Sequence, residues 1–284
     1  MIEVLYNPGA GSEADAMLEK LKDWFDATAL RFTDVTKMRD MAPLYDLAVE
    51  DCIIVAGGDG TLSRFVNDVE VKRLHCGVKY YPIGSGNDFA KDCGRERGCE
   101  PFEVKAALCD LPVLCVNGET RRFINGAGVG LDGFVCKMGN EMHKRTGKPV
   151  NYTALAIKCL FLFKPVHASV TVDGVKTEYD KVWMAPTMHG SYFGGGMRVA
   201  PEQDRANEKG AATSVVYCGA GKLMTMRILP TIFAGKHVRF KKYVILRQGS
   251  EVTVELSCPC DMQVDGEIIE NVTVYTVRSA PAGR

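Results

Sequence analysis

The stretch 51–68, DCIIVAGGDGTLSRFVND, allows few folds. Cys52 to Ala56 is a short apolar run with β-branched residues and reads as a buried strand. Gly57-Gly58-Asp59-Gly60 breaks it, and Leu62, Phe65, Val66 and Val69 follow at helical spacing. A strand that enters a helix through glycines lets backbone N–H groups approach a phosphate and sets it at a helix N-terminus. Asp59 would repel a bare phosphate. It fits if a divalent cation bridges the two, or if the carboxylate handles a reacting hydroxyl. Taken alone, the pattern also suits a plain loop in which Asp59 caps the helix.

Two further units repeat the plan. Ile2 to Tyr6 is an apolar strand, followed by a turn from Asn7 to Ser12, where Ser12 and Asp15 form a capping box. Ala14, Met17, Leu18, Leu21, Trp24 and Phe25 then fall on one helical face. From Val78, VKYYPI leads into Gly84-Ser85-Gly86-Asn87-Asp88 and a short helix. A strand near Ala29 to Thr33 completes the alternation. Three glycine turns at strand ends predict an α/β domain with a parallel sheet and a ligand along its C-terminal edge.

After Pro112 strand-like runs dominate: Arg122 to Gly126, Ser169 to Val172, Lys181 to Ala185, Thr213 to Cys218, Val252 to Leu256 and Val272 to Val277. Asp173-Gly174 and Asp265-Gly266 each separate extended runs, the strongest short hairpin signal. The chain therefore reads as 1–112, α/β, and 113–284, mainly antiparallel β. Two helices interrupt the second half: Asn151 to Phe163, apolar almost all round, and Lys222 to Ala234, kinked at Pro230. Both suit core packing, or a groove for an acyl chain.

Lys and Arg equal Asp and Glu at 35 each, so there is no basic excess for nucleic acid, and membrane contact has to come from a local patch. Gly235 to Lys242, GKHVRFKK, is one candidate. It reads equally as a basic strand with Val238 and Phe240 turned inward. The 11 cysteines are an odd, unpatterned set; with no signal peptide they read as cytosolic thiols. Cys258-Pro259-Cys260 has no second Cys/His pair to complete a metal site.

Taken together, the motifs resemble the diacylglycerol kinase catalytic-domain family, in its bacterial soluble lipid-kinase branch. The carriers are Asn7-Pro8 with Gly11; Gly57 to Leu62; and Pro82 to Ala90. Further along come Gly126 to Asp132; Gly194 to Met197 with Ala200-Pro201; Gly235-Lys236-His237; and Val264 to Glu267. The resemblance spans nearly the whole chain.

The resemblance implies an ATP-binding α/β domain followed by a lipid-binding β-sandwich. Asn7, Gly11 and Thr33 carry over as nucleotide contacts. Gly58, Asp59, Gly60, Thr61, Leu62, Ser63 and Arg64 form the main phosphate loop. Ser85 stands where the family usually has Thr. Asp59 is the candidate Mg²⁺ ligand. Glu267 falls at the family's general base, with Asp265 and Asp59 as the other candidate catalytic acids. Lys209 replaces an Asp that many relatives use for a structural Mg²⁺, and Asp204 or Glu208 would have to substitute. The expected activity is phosphorylation of diacylglycerol to phosphatidic acid by a cytoplasmic enzyme bound peripherally to the membrane, with a homodimer left open. A sphingoid kinase, an NAD kinase and a catalytically silent lipid-binding homologue are the alternatives.

Overall fold

The computed structural model describes residues 1–9, 14–148, 150–206 and 211–279. The candidate nucleotide contact Gly11, the capping residue Ser12, and Glu208 and Lys209 therefore lie outside the described residues. The chain divides into two units, Met1–Leu111 and Pro112–Arg284.

The first unit runs β1 (Ile2–Tyr6), α1 (Ala14–Glu19), β2 (Leu30–Asp34), β3 (Cys52–Gly57), α2 (Asp59–Asp68), β4 (Gly77–Pro82), α3 (Asp88–Asp92), β5 (Phe102–Glu103) and α4 (Lys105–Cys109). The sheet order is β2-β1-β3-β4-β5; the first four strands are parallel and β5 is antiparallel to β4. Ile53, Ile54, Val55 and Ala56 are all fully buried, so β3 is covered on both faces, which explains its unbroken apolar run. One face packs Val4, Ile54 and Ala56 against Ala14, Met17 and Leu18 of α1. The chain leaves β1 towards β2 on one side and returns to β3 on the other. That reversal opens a crevice at the C-terminal strand ends, where the glycine turns lie.

The second unit contains β6 (Val113–Val116), β7 (Glu119–Arg122), β8 (Gly126–Gly130), α5 (Leu131–Thr146), α6 (Tyr152–Leu162), β9 (Val166–Val172), β10 (Val175–Val182) and β11 (Met184–Met188). It continues with β12 (Tyr192–Phe193), β13 (Met197–Arg198), β14 (Ala212–Tyr217), α7 (Lys222–Ile228), β15 (Val244–Gly249), β16 (Glu251–Val264) and β17 (Glu267–Arg278). Its main sheet is antiparallel in the order β15-β14-β11-β8-β16-β17-β6-β7, with β9 on β16 and β10 on β9. The sheet curls over on itself. Tyr275 on β17 donates its hydroxyl to the Ala185 carbonyl on β11 at 2.6 Å. Those strands are three steps apart, roughly 14 Å along a flat sheet at about 4.8 Å per step. Register shifts in β16 between Glu255 and Met262 let its first half pair with β9 and its last residues with β8. The interior filled by Leu114, Val129, Val170, Val216, Val254 and Val277 is that of a sandwich.

Several sequence expectations are corrected. Arg122 to Gly126 is not one strand: β7 ends at Arg122 and β8 begins at Gly126, because the intervening backbone N–H groups turn to Asp265. Lys181 to Ala185 divides between β10 and β11, with Lys181 at positive φ. The first helix ends at Glu19, and Lys20–Asp23 is a 3₁₀ turn, so Trp24 and Phe25 lie beyond it. The kinked helix ends at Ile228, followed by a 3₁₀ turn over Leu229–Ile232 that holds Pro230. The basic stretch is not a strand: Lys236–Arg239 is a 3₁₀ turn with His237 buried. The longest helix, α5, has no counterpart in the sequence reading. Its apolar residues Leu131, Phe134, Val135, Met138 and Met142 do recur at helical spacing and pack in one core. Gly133, off that stripe, marks close packing: a Cβ there would lie 2.1 Å from the Asp261 carbonyl oxygen.

Candidate active site

At the end of β3 the Gly57 carbonyl accepts from Ile83 N at 3.0 Å and Gly84 N at 3.2 Å, which joins the exits of β3 and β4. The turns that follow lie back to back. A Cβ on Gly84 would come 2.3 Å from Gly58 Cα, and one on Gly57 would come 2.4 Å from Thr61 Cβ. Gly58 has an ordinary φ of −97°, so close approach, with a Cβ there 3.2 Å from Gly84 Cα, rather than left-handed backbone is what crowds a side chain at this position. Gly60 differs: a Cβ on it would meet nothing within 4 Å. This residue, at the N-terminus of α2, faces open space, as does the exposed Ser85.

Asp59 ties the two turns together. Its Oδ2 accepts from Asp88 N at 2.8 Å and its Oδ1 from Phe89 N at 2.9 Å. It thus caps α3 from a neighbouring turn. The residue in the N-cap position, Asn87, is left-handed at φ 50°. Its side chain turns back, donating Nδ2 to Gly84 O at 2.6 Å and accepting from the buried Tyr80 hydroxyl at 3.4 Å. Burial, with Asp59 and Asp88 nearby, pushes the Tyr80 hydroxyl well above its ordinary range, so it stays a neutral donor. A carboxylate oxygen has two acceptor sites, so bonds from these N–H groups do not by themselves bar Asp59 from a cation. Among the described residues no group of three or more His, Cys, Asp or Glu side chains could hold a metal ion.

The other loop residues divide by exposure. Leu62 and Ser63 are sealed in the core and shape the turn from beneath, and Thr61 covers Gly57. Arg64 pairs with Asp68 on its own helix at 3.1 Å. Asn7 donates its backbone N–H to Ala56 O at 3.4 Å, and its Oδ1 accepts from Gly9 N at 2.9 Å, which folds the first turn over β3. Thr33 gives its hydroxyl to the buried Glu3 at 2.5 Å, within the sheet.

In the second unit, Asp265 and Gly266 form the two-residue tip between β16 and β17, both at positive φ. The Asp265 carboxylate accepts from the backbone N–H groups of Ile124, Asn125 and Gly126 at 2.7, 2.9 and 3.2 Å. Asp173, at the other Asp-Gly tip, grips Ser250 N and Glu251 N in the same way, each at 2.9 Å. The shared device marks Asp265 as a group that positions backbone. Glu267 points elsewhere: 55% exposed, it accepts from Arg121 Nη2 at 2.6 Å.

Sequence reasoning missed the residues behind that tip. Arg205 donates to Ile124 O at 2.6 Å and to Asn125 Oδ1 at 2.9 Å, reinforcing the segment Asp265 holds. His189 lies buried nearby, its imidazole pushed down to about 3 by burial and then by Arg205, so it is neutral. No motif announces these residues; only the packing of distant loops brings them together.

Comparison with known proteins accords with this architecture. Residues 1–111 match the diacylglycerol kinase catalytic domain, and residues 126–282 match the YegS C-terminal NAD kinase beta sandwich-like domain. The chain is 24% identical over 278 residues to a diacylglycerol kinase of Bacillus subtilis (strain 168), covering 93% of this chain and 88% of that protein. It is 25% identical over 253 residues to the YtlR protein of the same organism, covering 81% and 78% respectively. A solved diacylglycerol kinase structure from Bacillus anthracis str. Sterne shares the fold at a TM-score of 0.61 and 17% identity, covering 98% of this chain and 94% of that one. With its two units matched in turn by these models, the chain belongs to the diacylglycerol kinase catalytic-domain family of lipid kinases.

Proposed function

We propose that this protein uses ATP to phosphorylate the free hydroxyl of diacylglycerol or a closely related lipid, giving phosphatidic acid in the first case. The observation that carries the reading is the pair of glycine turns, locked back to back by Asp59, with Gly60 and Ser85 left facing open space. A phosphate fits such a place because backbone N–H groups and the α2 N-terminus offer partial positive charge without a side chain in the way. ATP supplies the transferable phosphoryl group. A Mg²⁺ ion would be shared between the nucleotide's phosphates and Asp59, since a small hard cation favours oxygen ligands.

The chain's own residues divide the remaining work. Asp265 holds the 124–126 backbone and so fixes the tip on which Glu267 stands. Glu267 is exposed enough to meet a lipid hydroxyl and accept its proton, with Arg121 orienting the carboxylate.

A lipid substrate also calls for a surface that meets a bilayer. No described helix is long and apolar enough to cross one. Instead α6 is apolar on both its faces: Leu155, Cys159 and Leu160 are buried, while Ile157, Phe161 and Leu162 are exposed. Lys222 of α7 donates to Phe161 O at 2.8 Å, and its neighbour Leu223 is 80% exposed. Residues 142–166 and 219–250 include Lys144, Lys158, Lys164, Arg227, Lys241 and Lys242 but no Asp or Glu. An exposed apolar face on segments that carry basic but no acidic side chains suits an anionic leaflet. The test is ATP turnover over a panel of diacylglycerol, sphingosine, ceramide and NAD. Phosphatidic acid as the main product supports the reading, whereas turnover confined to NAD or sphingosine replaces it.

A further inference from the structure

Asp132 has no part in the chemistry above. It stands in the first turn of α5, and both its carboxylate oxygens are sealed from solvent, with the Asp132 and Gly133 backbone N–H groups and the Gln263 amide close by but no hydrogen bond of full geometry among the described residues. Gly128 makes room for it: a Cβ there would lie 2.2 Å from Asp132 Oδ2. Gln263 is the residue opposite Gly128 on β16. Its Oε1 accepts from Gly266 N at 3.1 Å, and its Nε2 is buried without a partner among the described residues. One turn along α5, Cys136 donates its thiol to Gly266 O at 3.2 Å. Both peptide groups of Gly266 are therefore gripped from the side on which Asp132 lies, and Gly266 sits between Asp265 and Glu267.

We propose that Asp132 and Gln263 form a buried positioning pair for the 265–267 turn, in which the charge on Asp132 decides which end of the Gln263 amide faces Gly266. When Asp132 is ionised, Gln263 Nε2 donates towards it, and Oε1 is left to accept from Gly266 N. When Asp132 is protonated, its O–H competes for Oε1. The amide then turns, and Gly266 N–H meets an NH₂ group that cannot accept from it. The turn is held in the first state and released in the second.

The surroundings leave Asp132 as the group that changes charge. Burial raises its carboxyl to about 6. Cys136 on α5 and Cys260 on β16 are pushed by burial to about 11 and about 12, and the Tyr275 hydroxyl on β17 is raised well above its ordinary value. On α6, burial likewise raises Tyr152 and Cys159. All five stay neutral near pH 6. β8 and β11 contribute no titratable side chain. Lys137 is committed to Asp261 and Glu270, at 3.2 and 3.0 Å.

The effect on turnover rests on the kinase reading; the effect on the turn does not. The full chain, labelled with ¹⁵N, is titrated between about pH 5 and pH 7.5 while the Gly266 amide resonance is followed. It should move with a midpoint near pH 6 in the wild type and stay still in Asp132→Asn. Gln263→Met, which lacks the amide, should also abolish the movement and keeps the test open if Asp132→Asn does not fold. The kcat profile should fall roughly tenfold per pH unit below that midpoint in the wild type only, with KM for ATP unchanged. A still Gly266 amide in the wild type, or one that moves equally in Asp132→Asn, overturns the proposal. A moving amide in a protein without lipid turnover supports the pair and counts against the kinase reading.

Discussion

Gly58 and Gly84 belong to different turns, yet a Cβ on Gly84 would lie 2.3 Å from the Gly58 Cα and 3.0 Å from its nitrogen. Backbone cannot yield as a side chain can. Gly84→Ala should therefore cost about 1–3 kcal/mol or more and be seen in thermal unfolding. Gly60→Ala, facing open space, should fold at least as well as the wild type. It should nonetheless bind ATP at least roughly tenfold more weakly in calorimetry, because the methyl occupies the approach to α2. Unchanged ATP affinity in folded Gly60→Ala would show that the phosphates do not lie at this turn.

Asp265 and Glu267, two residues apart, should separate cleanly. Asp265→Asn turns one of the acceptors for the 124–126 backbone into a donor, and should cost about 1–3 kcal/mol of stability. Glu267→Gln removes a proton acceptor and an exposed ion pair worth about 0–1 kcal/mol, so its melting temperature should barely change. Its turnover should fall by roughly 10²–10⁴, with ATP affinity retained. If Glu267→Gln turns over normally, another group accepts the proton.

The exposed face of α6 and α7 makes a membrane prediction independent of the chemistry. Phe161→Ser with Leu223→Ser should weaken sedimentation with vesicles containing anionic lipid, and high salt should weaken it further for the wild type. Turnover of a short-chain lipid dispersed in detergent should survive. Equal sedimentation of variant and wild type would place the docking surface elsewhere.

Stability should respond to pH through two buried groups of opposite sign. The His189 imidazole is lowered from 6.5 to about 3, so the unfolded chain takes up the proton first. Its contribution is complete above about pH 6.5 and lost as the pH falls towards 3, by about 1.4 kcal/mol per pH unit. The Asp132 carboxyl is raised from 3.8 to about 6, so its contribution is present below 3.8 and lost as the pH rises through 6. Between about pH 4 and 6 the two slopes oppose each other. Melting temperatures of the single variants should separate them. Asp132→Asn gains on the wild type as the pH rises from about 4 to 6, and His189→Gln gains as it falls below about 6. Parallel curves for all three proteins would contradict both assignments.

The sequence by itself determined the first unit's plan and the tips of the second. A buried strand that enters a helix through glycines has one compact solution, and three such turns set a parallel sheet with its exits aligned. Asp-Gly between extended runs likewise forces a tight hairpin, as at Asp173 and Asp265. These are local rules, satisfied within a dozen residues. What only the tertiary structure decided are the partnerships across long separations. Asp59 caps α3, Asp265 breaks the run from Arg122 to Gly126, and Gly128 opens a space for Asp132. In each, a carboxylate or a missing Cβ is answered by a group that the local pattern does not point to. Such matches depend on distance in space, which no periodicity in the sequence records.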